Sequence, residues 1–225
     1  MTEPRFSFRA VLENKHFLGQ VIMMRRNWHL WFFTLITLLL LVAIYFQNQD
    51  SLNDRDSITY TYLSNALQGS IGYGLVGNYG NMIDLSDLEA GDIILGGYPQ
   101  CAYGRFSHAA IYIGDGQVIE GYVDLGITQQ SVEHFWSYSE ISLLRIKASS
   151  DKKQAAVDHA KSHLGELFYP VAFKPGERIW NCTKILWEAY RQQGIDLETQ
   201  GDIWISPDDF YNSPWVEVIR EKSVP

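Results

Sequence analysis

The chain changes its hydrophobic pattern three times. Residues 30–46 read LWFFTLITLLLLVAIYF, 17 positions without a charge. At about 1.5 Å per residue such a helix spans about 25 Å, the short end of a bilayer crossing. Trp28 and His29 extend it on one side, and Thr34 and Thr37 can return their hydroxyls to helix carbonyls. Residues 47–60 are polar and charged and read as a linker, and residues 61–87 mix aromatics with glycine. From residue 88 the runs shorten. A turn at 89–92 (EAGD) precedes a strand at 93–95. A strand at 107–113 (SHAAIYI), a GDG turn at 114–116 and a return strand at 117–122 (QVIEGY) form a hairpin. A further strand is expected at 142–146. A helix follows, capped by Ser150 or Asp151, with Ala156, Ala160 and Leu164 on one face and Gly165 as its stop. A second helix runs from about 182 to 193, with Ile185, Leu186, Ala189 and Tyr190 inward and Gly194 as stop. Residues 216–219 close the sheet. Strands and helices are segregated, so the fold class is α+β.

Charge orients this plan. Arg5, Arg9, Lys15, Arg25 and Arg26 precede the apolar run, and Asp50, Asp54 and Asp56 follow it. The positive-inside rule then predicts a basic cytoplasmic tail at 1–28, a transmembrane helix at 29–46 and an extracytoplasmic remainder on the cytoplasmic membrane. A cleaved signal peptide fits less well, because no small-x-small site follows Phe46. Residues 47–225 carry 13 basic and 24 acidic residues, a net of −11, which argues against nucleic acid and against anionic lipid surfaces as partners. With only Cys101 and Cys182, disulfides do not hold the fold together.

Two motif-like spacings carry little. Gly72, Gly74 and Gly77 spell G-x-G-x-x-G, but no strand precedes them and no helix follows, so a glycine-bearing loop is expected. His159 and His163 have metal-ligand spacing, but HAKSH lacks the glutamate of the zincin pattern, and a solvated helix face is expected. No cofactor and no metal are called for. Asp208 and Asp209 after Pro207 read as a helix start.

The remaining constellation is nucleophilic. Cys182 stands where a helix begins, directly after Asn181. A helix N-terminus stabilises a thiolate and offers unpaired N–H groups to an oxyanion. His108 opens a strand beside a turn and is the candidate base. Glu120 lies on the adjacent strand of the hairpin and can orient the ring if the register puts both on one face. Either cysteine alone is more often core than catalyst, and the two could also pair as a disulfide.

These residues resemble a known family. The segments GDIIL, SHAAIYIGDGQVIEGY, NCTKILWEAYRQQGI and ISPDDFYNSPW are similar to the circularly permuted papain-like hydrolases of the NlpC superfamily, nearest the YiiX/YebB-like group, over about residues 88–219. The resemblance implies a permuted papain-like fold at 88–225, an antiparallel sheet packed against helices; the transmembrane helix and a linker and lead-in at 47–87, read from the apolar and polar pattern, precede it. It implies Cys182 as nucleophile, His108 as base and Glu120 as the orienting acid, hydrolysing an amide through a thioester, with cell-wall peptides as the default substrate. The chain departs from the family at Thr183-Lys184, where Ser-Glu is frequent, and at Tyr169-Pro170, where Tyr-Asp is frequent. Two alternatives stand beside it. One is a lipid acyltransferase or phospholipase of the lecithin-retinol acyltransferase type, which usually has a second histidine where this chain has Glu120. The other is an inactive binding module that kept the cleft.

Overall fold

The structure, a computed structural model, describes residue 28 and residues 31–55, 57–202 and 204–225. It divides into two units, Met1–Asp50 and Ser51–Pro225. In the first, residues 31–47 form helix α1, and its apolar side chains, Trp31, Phe33, Leu39 and Phe46 among them, are exposed. The Thr37 hydroxyl donates to the Phe33 carbonyl at 2.9 Å, which satisfies it without leaving the helix. Among the described residues no helix is long and apolar enough to cross a membrane. Residues 29 and 30 of the expected span, and the basic tail through residue 27, lie outside the described residues.

The expected linker at 47–60 is partly helical instead, with α2 at Gln49–Asn53 and α3 at Ile58–Leu67. Its polar composition hid two features. The Ser57 side chain caps α3 by accepting from the Tyr60 amide, and the Ile58 amide donates to buried Asp202 at 2.9 Å.

Six strands follow: β1 (Ile93–Gly97), β2 (His108–Gly114), β3 (Gln117–Tyr122), β4 (Gly126–Ser131), β5 (Glu140–Ile146) and β6 (Val216–Ser223). They form one antiparallel sheet in the order β4-β3-β2-β1-β5-β6. The β2–β3 turn has Asp115 at φ 52° and Gly116 at φ 71°, the pair of left-handed residues that matches strand twist. Strand β4 was not expected from the sequence: GITQQS holds one large apolar residue, and pairing with β3 gives it its form. Its outer edge is covered, since the Ile127 amide donates to Glu166 O and the Gly165 amide to Ile127 O, both at 2.8 Å.

Apolar residues leave both sheet faces. Ile93, Leu95, Ala109, Ile111 and Ile119 meet helices α4 (Ser150–Ser162) and α5 (Cys182–Arg191). Ile94, Ala110, Val118, Ile141 and Leu143 meet Ile83, Phe135 and Tyr138 on the other side. That two-sided burial explains why the central strands read as unbroken apolar runs.

Ile185, Leu186, Ala189 and Tyr190 of α5 are fully buried, as expected, and Gly194 turns the chain at φ 77°. Helix α4 differs in detail. Ser149, not Ser150 or Asp151, holds the cap position, without a side-chain cap bond. Leu164 is 41% exposed, because the helix stops at Ser162 and the chain has already turned away. Helix α6 (Pro207–Asn212) begins with a full capping box between Ser206 and Asp209, so the acidic pair is a helix start as expected.

One buried charge ties these layers. Asp92, fully buried at the foot of β1, accepts from Arg145 of β5 at 2.9 Å and from Lys153 of α4 at 3.3 Å. The Tyr190 hydroxyl of α5 donates to the Gly91 carbonyl beside it. A strand, its neighbour and helices α4 and α5 thus meet at the EAGD turn.

Candidate active site

Local chemistry fixes the start of α5. The Asn181 side chain accepts from the Lys184 amide at 2.7 Å and from the Thr183 hydroxyl at 3.0 Å. The Thr183 hydroxyl shares its one proton between that oxygen and the Ile205 carbonyl at 2.8 Å. Cys182 is therefore the first helical residue, 6% exposed, in the turn whose backbone N–H groups have no carbonyl within the helix. Lys184 reaches back to the Gly176 carbonyl at 2.7 Å and lies over the Trp180 ring. The Thr183-Lys184 departure thus pins the loop that leads to the cysteine.

His108 opens β2 and is 3% exposed. The β2–β3 register pairs Ile111 with Ile119 and Tyr112 with Val118, which sets His108 and Glu120 on the same sheet face. His108 Nε2 lies 2.7 Å from Glu120 Oε2. The carboxylate only accepts, so Nε2 carries the proton and Nδ1 is left for the thiol. The ring also interacts electrostatically with Cys182. Tyr122 stacks on the imidazole at 4.7 Å, with Tyr138 almost parallel to it at 6.1 Å.

Burial by itself would lower the His108 pKa, but its interactions with Cys182 and Glu120 outweigh that and carry the value up to about 10. Burial would raise Glu120, and the hydrogen bonds from His108 and His134 hold it below the ordinary carboxylate range. The site therefore favours an imidazolium between a sulfur and a carboxylate. His134 was not singled out in the sequence. It lies in a 3-10 turn, Val132–Ser137, whose residues show no pattern pointing to β3.

The cleft runs to both sides of this pair. On the cysteine side a narrow slot is walled by Tyr73, Tyr103, Phe168, Pro170 and Trp204. On the histidine side a cavity of about 230 Å³ is lined by Tyr73, Val76, Tyr98, Tyr122 and Val123. Tyr73 serves both, from the lead-in segment. A larger hollow of about 520 Å³ beside Arg55, Arg105 and Asp208 shares Tyr103 with the slot but holds neither Cys182 nor His108.

The other sequence candidates stay outside. Cys101 and Cys182 are both free. Cys101 accepts from the Tyr103 amide at 3.4 Å, and burial pushes its thiol up to about 11. Gly72 and Gly74 shape a loop, in which the Ala102 amide donates to the Gly72 carbonyl. His163 bonds Glu166 at 2.9 Å and packs on Trp180. Among the described residues no group of three or more His, Cys, Asp or Glu could hold a metal ion.

The chain is similar to known proteins. A family model described as permuted papain-like amidase enzyme, YaeF/YiiX, C92 family, matches residues 87–210, more than half of the chain. The uncharacterised protein YycO of Bacillus subtilis (strain 168) is 25% identical over 126 residues, which are 52% of this chain and 50% of YycO. The chain thus spans about half the length of that relative. The crystal structure of YiiX from Escherichia coli O157:H7, described as a metalloprotein, superposes with a TM-score of 0.51 at 14% identity, covering 60% of this chain and 98% of YiiX.

Proposed function

Because the chain belongs to the permuted papain-like amidases of the YaeF/YiiX C92 family, and is thus a cysteine hydrolase, we propose that Cys182, His108 and Glu120 cleave an amide bond through a thioester. The observation that carries this reading is that one buried ring, His108, is bonded to a buried carboxylate at 2.7 Å and is electrostatically coupled to the helix-start thiol. His108 takes the thiol proton, and Sγ attacks the amide carbonyl carbon. The Cys182 backbone N–H, directed outward from the helix start, supports the oxyanion. The imidazolium then gives its proton to the leaving nitrogen as the C–N bond breaks. Water, losing a proton to His108, attacks the thioester carbonyl and releases the acid and the thiol. Glu120 holds the ring in the tautomer that keeps Nδ1 toward sulfur throughout.

We propose cell-wall peptides as substrate and a single-pass anchor at the cytoplasmic membrane, with the hydrolase domain outside. The exposed apolar face of α1 and the flanking charges support the anchor. The chain's turnover of a muropeptide panel tests the substrate. Wild type should cleave, and Cys182→Ala should lose turnover entirely. Iodoacetamide at neutral pH should label Cys182 ahead of Cys101, whose thiol burial pushes up to about 11; equal labelling with no turnover would remove the enzymatic reading. A second reading rests on the histidine-side cavity, where the exposed Val76 and Val123 offer an apolar wall to an acyl chain. Cleavage of ester-linked acyl chains in micelles, with muropeptides untouched, would favour it.

A further inference from the structure

The cleft is divided. Cys182 lines the slot and not the cavity, and His108 lines the cavity and not the slot. Two residues line both, Ser107 and Tyr73. Ser107 is floor: it is buried, and its amide and hydroxyl donate to the Gly96 carbonyl at 2.9 and 3.3 Å. Tyr73 is half-buried, and its hydroxyl has no hydrogen-bond partner among the described residues.

The backbone fixes Tyr73 in place. Gly72 and Gly74 flank it at φ 58° and 90°, where a side chain is strained. The Gly72 carbonyl accepts from the Ala102 amide at 3.0 Å, and the Leu75 amide donates to the Pro99 carbonyl at 2.8 Å. A Cβ on Gly74 would stand 2.4 Å from that same Pro99 oxygen. The segment is thus strapped to the 99–102 loop on both sides of the tyrosine, which gives the G-x-G part of the glycine motif a purpose. The ring packs against Tyr103 at 5.7 Å, and Tyr103 is held in turn by Tyr62 and Trp204 at 5.6 and 5.5 Å. Burial, and after it the charge of nearby Cys182, hold the Tyr73 phenol in its neutral form, above its ordinary range. The space on its two sides is unequal. The slot has room for about 20 Å³, the size of one water, and the cavity for about 230 Å³.

We propose that Tyr73 is a specificity-determining partition: it closes the cysteine slot to groups bulkier than a methyl and sends the bulk of the substrate to the histidine side. The substrate is then an amide with a slender group on the slot side of its carbonyl. The family match begins at residue 87, so this wall is supplied by chain outside the matched residues. The assignment deepens the hydrolase reading above and rests on Cys182 as its nucleophile.

The test uses the full chain and two reagents of one chemistry, iodoacetamide and N-benzyliodoacetamide. In both, the Cys182 sulfur forms a bond to the methylene carbon and iodide leaves, so the ratio of their rates reports room rather than thiol reactivity. Peptide mass spectrometry reads each rate at Cys182, and glutathione gives the ratio for an open thiol. In wild type the benzyl reagent should be disfavoured by at least about tenfold relative to glutathione. In Tyr73→Ala the ratio should approach the glutathione value. Tyr73→Phe keeps the ring, loses only an unbonded hydroxyl, and should keep the wild-type ratio. Tyr73→Leu, which leaves an apolar side chain against Tyr103, should fall between them and decides the matter if alanine unfastens the strap. A wild-type ratio equal to that of glutathione overturns the proposal, and so does a wild-type ratio retained in folded Tyr73→Ala or Tyr73→Leu. A ratio raised as far by Tyr73→Phe as by Tyr73→Ala would assign the effect to the hydroxyl and overturn it too. If wild-type Cys182 reacts with iodoacetamide no faster than Cys101, it is the nucleophile reading that fails.

Discussion

Glu120 is the residue on which the site's electrostatics turn. It is fully buried, carries its charge among aromatic rings, and is kept ionised by two imidazoles. Glu120→Gln keeps the shape and removes the charge. A neutral amide can also present N–H toward Nε2 and select the wrong tautomer. We expect kcat to fall by about 10²–10⁴-fold, measured on any substrate that wild type turns over. The same change has a signature in stability. His108 has a folded pKa raised to about 10, above an unfolded value of about 6.5. Its contribution is fully present below the unfolded value and is lost as pH rises through the folded one. Wild-type Tm should therefore decline between about pH 6.5 and 10, and the decline should flatten in Glu120→Gln. A parallel decline in both proteins would show that Glu120 does not carry the shift.

Elements hold these side chains through close approaches that leave no room for adjustment. Gly96 of β1 is the register partner of His108. A Cβ there would lie 2.6 Å from the Tyr138 ring, which runs almost parallel to the imidazole. Gly96→Ala should cost about 1–3 kcal/mol by overpacking, read from urea unfolding. It should also lower turnover, because the displaced ring backs Tyr122 and His108. Unchanged stability would mean that Tyr138 moves freely and does not brace the histidine. The same logic applies at Gly121, where a Cβ would meet Phe168 of the slot wall at 2.8 Å. The helix start is held differently, by polar bonds from Asn181 and Thr183 rather than by steric fit.

At the scale of the molecule, the catalytic fold extends beyond the residues that match the family. The family match begins at residue 87, yet Ile58 and Ile83 are buried, and Asn81 donates to Ser139 O and Lys222 O at 3.1 and 2.9 Å. Tyr73 from the same lead-in walls the cleft on both sides. A fragment of residues 51–225 should fold with a wild-type-like unfolding transition, whereas one of residues 88–225 should be less stable and lose the Tyr73 wall. Equal stability of the two fragments by thermal unfolding would contradict this. The anchoring proposal predicts further that the 51–225 fragment leaves the membrane fraction on carbonate extraction while the full chain stays in it.

The sequence by itself determined the segments whose information is local. The Asp-Gly turn, the apolar strands, the inward face of α5 and the cysteine at its start all follow from propensity, periodicity and capping, which act within a few residues. The tertiary structure decided what depends on distant partners. Strand β4 is polar and becomes a strand only because β3 offers it hydrogen bonds. The lead-in helix α3 is fastened by Asp202, 144 positions away from Ile58. His134 meets Glu120 only because a 3-10 turn folds over β3. Whether Glu120 faces His108 or solvent was a matter of strand register. A shift of one residue turns every side chain over, and the register is fixed by packing on both sheet faces.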